Sequence, residues 1–320
     1  MTLGGGIGML TGTYGLIVDS LRSVRIATAD GCVVTASKHE NPDLFWAVKG
    51  AGPNFGIVVE AVYEVYPITN GGKVVEGNFF FPASANRTIW KHLAKYDAHL
   101  PGKLSVQAGI LYDREVNQSQ VWLQTWYFGP EREAKPHNDA ILALNPVVSG
   151  VETLTQVEVY NQSVTRGVCH RGATITAYTL GLSRTDVKAY EQHFADMTDL
   201  YRRYPAYNGF SFFQLYSNKV SAKYEGQSAF PWRDVQTWWL LENLYTDNAL
   251  EEPLYRWSEE QRDKLHAVGG YKTPHVYINY ALGDEGPEAW WSKEHLPKLR
   301  KLKKKWAPKG LFGVGSLIEY

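Results

Sequence analysis

Acid–base chemistry at neutral pH needs a side chain whose pKa its surroundings have moved, and Glu242 is the clearest such residue here. It follows Trp238-Trp239-Leu240-Leu241 and precedes Asn243. A carboxyl flanked by bulky apolar groups loses hydration of its charged form, so its pKa rises toward the range of a general acid or base. Strand alternation places Glu242 with Leu240, and Asn243 with Leu241 on the other face. An edge glutamate in water, or one paired with Arg233, fits the same residues. Tyr277 and Tyr280 belong to HVYINY, a run with strand character. A phenol with its ordinary pKa of about 10 acts as a base only where a neighbour lowers it, and a strand tyrosine read from the residues alone is a core side chain with a satisfied hydroxyl. Cys169-His170 joins a nucleophile to a base, but neighbours along a strand point to opposite faces.

Two glycine clusters ask for close backbone approach. In Gly4-Gly5-Gly6-Ile7-Gly8 no Gly-Lys-Ser/Thr follows, and a G-x-G-x-x-G pattern from Gly6 and Gly8 meets Thr11 where glycine is required. The residues thus argue against a nucleotide motif of the Rossmann or Walker kind. In Gly50-Ala51-Gly52-Pro53-Asn54-Phe55-Gly56, three glycines leave backbone bare for a bulky ligand, or simply make a buried turn between helix and strand. Asn41, Pro42 and Asp43 suit a helix start for Leu44, Phe45, Trp46 and Val48, and IVVEAVYEV suits a strand.

The elements that must position these residues follow from periodicity. Strands are expected over residues 73–81, 104–112, 120–127, 151–159, 173–182, 210–216, 237–245 and 275–280. Helices are expected from residue 84, over 132–144 and from 185, where Val187, Tyr190, Phe194, Met197 and Tyr201 make an apolar stripe with His193 on the wet side. A last helix over 293–306 turns Leu296, Leu299, Leu302 and Trp306 inward and Lys298, Lys301, Lys303, Lys304 and Lys305 outward. Strands with helices between them predict an α+β fold, an antiparallel sheet covered on one face. Gly71-Gly72 marks the best boundary.

The 320 residues, 44% hydrophobic with net charge zero, are long enough for one large or two medium domains and carry no electrostatic signal for nucleic acid. There is no apolar run of membrane-spanning length and no secretory signal in MTLGGGIGML, while sequons at Asn86, Asn117 and Asn161 hint at secreted ancestry. The two cysteines, Cys32 and Cys169, make neither a disulfide framework nor a metal site.

The run NPDLFWAVKGAGPNFGIVVEAVYEVYP from Asn41 to Pro67 resembles the signature of the berberine bridge enzyme-like flavoproteins, a branch of the vanillyl-alcohol oxidase superfamily. TLGGGIGMLTGTYGLIVDS is similar to that family's glycine-rich segment and VRIATADGCVVTAS to its next hairpin. YINYALGDEGPEAWW with LPKLRKLKKKWAPKGLFGV is similar to its closing segment. The resemblance implies the remainder of a PCMH-type FAD-binding domain over residues 1–70, a substrate domain over 71–273 and a closing segment over 274–320 that returns to the first. It implies FAD near Gly4, Gly5, Gly6, Gly52, Asn54, Phe55, Gly56 and Asn279, with Tyr277 and Tyr280 facing the flavin ring. SAFPWRD, residues 228–234, is similar to the family's A-F/Y-P-x-R segment and would form a second wall with Glu242's strand.

The inherited reaction would be oxidation of a small-molecule alcohol, amine or secondary-metabolite intermediate. The family's pyrophosphate loop and flavin-attachment residues are not found within this sequence, so FAD is expected to bind weakly and non-covalently, or not at all. Two alternatives follow: a cofactor-independent cyclase or isomerase, Diels–Alderase-like, using Glu242, Tyr277 and cavity shape, and an inactive remnant or a subunit completed by a second chain.

Overall fold

The structure is a computed structural model and describes residues 1–165, 172–312 and 315–319. Two short helices, α1 (Thr11–Tyr14) and α2 (Ile17–Ser20), lead into β1 (Leu21–Ala27), β2 (Val33–Ser37), α3 (Pro42–Ala51) and β3 (Ile57–Tyr63). Then come β4 (Lys73–Pro82), α4 (Asn86–Leu93), β5 (Leu104–Asp113), β6 (Gln118–Tyr127), α5 (Glu131–Leu142), β7 (Val148–Thr155) and α6 (Gln156–Thr165). The chain continues through β8 (Thr174–Leu182), α7 (Val187–Arg203), β9 (Phe210–Tyr216), β10 (Thr237–Tyr245), α8 (Glu251–Val268) and α9 (Pro287–Trp306). The Cys169-His170 pair lies outside the described residues.

Contacts divide the chain into two units. One joins Met1–Pro67, Asn218–Val235 and Lys272–Tyr320, and the other joins Ile68–Ser217 and Gln236–Tyr271. Asn218–Val235, which the sequence assigns to the substrate domain, thus belongs with the first unit. The reason is backbone pairing with α3: Ala229 and Phe230 N–H donate to the carbonyls of Trp46 and Lys49, and Trp46 Nε1 donates to Gly226 O.

The first unit has a three-stranded antiparallel sheet in the order β2-β1-β3. Val24 and Ile26 of β1 pack with Leu44 to Val48 of α3 and with Trp290, Trp291, Leu296 and Leu299 of α9 in one core. Asn41 does not cap α3 as expected. It takes a left-handed conformation and its Nδ2 donates to Thr35 O, while Asp43 accepts from Lys305 Nζ. Lys303 departs from the wet face expected of it, being 2% exposed and donating to the carbonyl oxygens of Asn54 and Phe312. Residues 275–280 are not a strand. Val276 N bonds Ala289 O at the start of α9, and Tyr280 N closes a turn on Tyr277 O, so their backbone groups are used locally.

The second unit is a seven-stranded antiparallel sheet in the order β7-β4-β6-β5-β9-β10-β8. Helices α4, α5, α7 and α8 pack on it, through contacts such as Thr125 Oγ1 to Asn138 of α5 and Thr198 of α7 to Ser119. The expected strand over 151–159 stops at Thr155. There Thr155 and Glu158 form a reciprocal capping box, each side chain taking the other's backbone N–H, and α6 begins. His193 is also moved from its expected place: it is 2% exposed and bonds Gln261 of α8 and Ser211 of β9, because α8, not anticipated from the sequence, covers that side of α7.

Candidate active site

Among the residues singled out in the sequence, Tyr277 has the most developed polar surroundings. It is 2% exposed. Its phenolic oxygen accepts from Ile7 N–H at 3.0 Å and from Asn279 Nδ2 at 2.7 Å, and Gly6 N–H also points its bond there. Burial pushes the phenol above its ordinary value, and these donors, which favour the phenolate, pull the other way. Asn279 Nδ2 also donates to Met1 O. Tyr280 stands edge-on to Tyr277 with ring centroids 5.0 Å apart, and Phe230 does so at 6.1 Å. Tyr277, Tyr280, Asn279 and the Gly4–Gly6 segment are therefore brought together.

The second glycine cluster has another occupation. Asn54 is 2% exposed, its Nδ2 donates to Ser316 O and its Oδ1 accepts from Ile318 N, so its amide ties down the C-terminal segment. Phe55 is fully buried in the core. A Cβ added to Gly56 would stand 2.3 Å from Ala27 O, and one added to Gly52 would stand 2.9 Å from Leu3 Cβ.

These contacts bear on the cofactor that the resemblance implies. A flavin would need bare backbone, yet the sides where Gly4, Gly5 and Gly6 lack a Cβ are filled by Asn279, Phe230 and Ile17. Gly8 has open space there, but its N–H is already used by Thr11 Oγ1. At these glycines the Cβ side is thus occupied from within the chain, except at Gly8.

The SAFPWRD segment, expected as a second wall, is instead anchored inside the first unit. Arg233 Nη1 donates to both oxygens of Asp19 at 2.8 and 2.7 Å, both side chains are 1% exposed, and Nη2 donates to Ser228 Oγ. Arg233 is thus paired with Asp19 rather than Glu242. Lys49 lies nearby, its amine lowered to about 8 chiefly by burial.

Glu242 lies in the other unit, half-buried on β10 between Ala177 and Phe210. Asn243 points to the helices, bonded to Tyr207 and to Ser258 of α8, so Glu242 is on the opposite face of the sheet. That face carries side-chain rows which sequence reasoning missed. Trp238, Gln214, Gln107, Gln124 and Asn78 stand opposite one another across five strands, and next to them run Leu240, Phe212, Gly109, Trp122 and Phe80. Gln214 donates to Gln107, and buried Glu76 accepts from Gln124, Trp126 and Asn78. Gly109 makes room for the rings of Phe212 and Trp122. A lone glutamine in each of VQAGI, WLQTW and FFQLY was the available signal.

Comparison with known proteins agrees with the motifs. The family described as Berberine and berberine like matches residues 276–316. The FAD-linked oxidoreductase afoF of Emericella nidulans is 44% identical over 99% of this chain and 66% of its own length. The FAD-linked oxidoreductase tazL of Aspergillus terreus is 36% identical over 99% of this chain and 65% of its own. The chain therefore spans just under two thirds of these curated relatives. Glucooligosaccharide oxidase from Acremonium strictum has the same fold, with a TM-score of 0.84 at 20% identity over 99% of this chain and 70% of that one. The chain belongs to the berberine bridge enzyme-like family. These names lend no support to the cyclase or isomerase alternative or to a complementing chain. Among the described residues no helix is long and apolar enough to cross a membrane, and no group of His, Cys, Asp and Glu is placed to hold a metal.

Proposed function

We propose that this chain supplies the proton-accepting tyrosine and the substrate-binding sheet of an FAD-linked oxidoreductase acting on a small alcohol, amine or secondary-metabolite intermediate. The observation that carries this reading is the Tyr277 oxygen, buried and met by Ile7 N–H and the Asn279 amide. Burial holds the phenol above its ordinary value and these donors offset only part of that, so a base that takes a proton from a substrate O–H or N–H needs a further positive group in the occupied site. The oxidoreductase class is supported by the names of afoF and tazL. On the sheet, taken by itself, the aromatic row suits a flat ring and the carboxamide row suits its hydroxyl groups, and Glu242 stands on the same face.

The test is to incubate the purified chain with FAD, remove free cofactor by gel filtration, record the visible spectrum and assay substrate-dependent oxygen uptake. Weak, non-covalent flavin binding is expected, with any substrate-dependent uptake falling about 100-fold or more in Tyr277→Phe. A folded, colourless chain that refuses FAD and isomerises an unsaturated substrate in a Glu242- and Tyr277-dependent way would replace this reading with the cofactor-independent one.

A further inference from the structure

Phe230 touches both halves of the Tyr277 arrangement. It is 2% exposed and lies in Asn218–Val235, the segment between β9 and β10 that joins the first unit. Its ring meets the Tyr277 ring edge-on at 85°. The same ring lies where a Cβ would project from Gly5, 2.8 Å away, and Gly5 begins the irregular segment whose Gly6 and Ile7 N–H groups reach the phenolic oxygen. Its backbone fits against Gly50, where a Cβ would be 2.3 Å from Phe230 N. The Arg233 guanidinium lies 5.7 Å from the ring centroid, itself held by Asp19 and Ser228.

We propose that Phe230 is a positioning residue for Tyr277, a wedge that sets the distance between the phenol and the Gly5–Ile7 backbone. A planar ring with two rotatable bonds fixes such a spacing better than an aliphatic chain, and hydrogen bonds weaken steeply as their length and angle drift. Asp19 and Arg233 hold the wedge through its segment. The consequence for catalysis rests on the function proposed above, whereas the positioning itself is readable without it.

The experiment uses the full chain carrying tyrosine labelled with 13C at Cζ, with the Tyr277 resonance identified by its loss in Tyr277→Phe. Phe230→Ala is expected to move that resonance, and Phe230→Tyr, which keeps the ring, to leave it in place. In protein that turns over substrate, Phe230→Ala is expected to lower kcat about tenfold with KM within about twofold, as misplacement of a reacting group does. If Phe230→Ala does not fold, Phe230→Leu and Arg233→Lys serve, each expected to shift the resonance in the same sense. A folded Phe230→Ala or Phe230→Leu variant with the Tyr277 resonance unmoved overturns the inference. Full activity in Tyr277→Phe together with a shifted resonance in Phe230→Ala would retire the proposed function and leave the positioning role standing.

Discussion

Asp19 and Arg233, 214 residues apart in the chain, form an ion pair in which both side chains are 1% exposed. Asp19 Oδ2 also accepts from Leu16 N–H, and Arg233 also donates to Ser228, so the carboxylate has no hydration to fall back on if its partner is removed. Removing one member of a buried pair strands the other charge. Arg233→Met and Asp19→Asn are each expected to cost about 3–5 kcal/mol. Asp19→Leu combined with Arg233→Met should be milder than the sum of the two. Urea unfolding followed by tryptophan fluorescence measures all three, and single variants within 1 kcal/mol of the parent would rule out this account of the pair.

The Asn54 amide holds Ser316 and Ile318, and Lys303 Nζ bonds the Asn54 and Phe312 carbonyls. Asn54→Ala should cost about 1–3 kcal/mol through the unpaired backbone groups it leaves. It should also expose the C-terminal segment to protease well before the rest of the chain, which mass mapping of early fragments reads directly. Equal cleavage of parent and variant would argue against this tie.

His193 and His92 are buried and lowered to about 4, chiefly by desolvation. His193 is also bonded by Gln261 and Ser211, while both ring nitrogens of His92 have no hydrogen-bond partner. For each the folded-state pKa lies below the unfolded value of about 6.5, so the unfolded chain binds the proton first. Stability contributed by the neutral rings is complete above pH 6.5 and is lost as pH falls toward 4, by roughly 3 kcal/mol for each ring. Unfolding measured at pH 7 and pH 4 should show this loss, reduced in His193→Gln; an unchanged pH slope in that variant would place the effect elsewhere.

Gly50 and Gly8 should respond oppositely to alanine. Gly50 has φ +131° and its Cβ would meet Phe230 N, a backbone atom that cannot swing away. Gly50→Ala is expected to abolish soluble expression or cost more than about 3 kcal/mol. Nothing lies within 4 Å of a Cβ at Gly8, so Gly8→Ala should stay within about 0.5 kcal/mol of the parent. Thermal melts of the two proteins decide it.

The strands at Phe210–Tyr216 and Thr237–Tyr245 and the core stripe of α7 were legible because each is written in a local period, two for strands and three to four for the helix. The capping box at Thr155 and Glu158 is equally local, and it ends β7 and starts α6 within a run whose β-branched residues read as strand. Tyr277 could be named from a motif, but its character as a base candidate could not, since its N–H donor at Ile7 is 270 residues away.

What the sequence by itself determined is therefore the family, the α+β class and the faces of the strands, all carried by neighbours within a few positions. Only the tertiary structure decided which charges are paired and which glycines are filled. Arg233 took Asp19 instead of Glu242, Lys303 turned inward to Asn54, and Phe230 came to stand between Tyr277 and Gly5. The physical reason is that desolvation and hydrogen-bond satisfaction depend on every element packed around a group, and those elements come from the two ends and the middle of the chain at once.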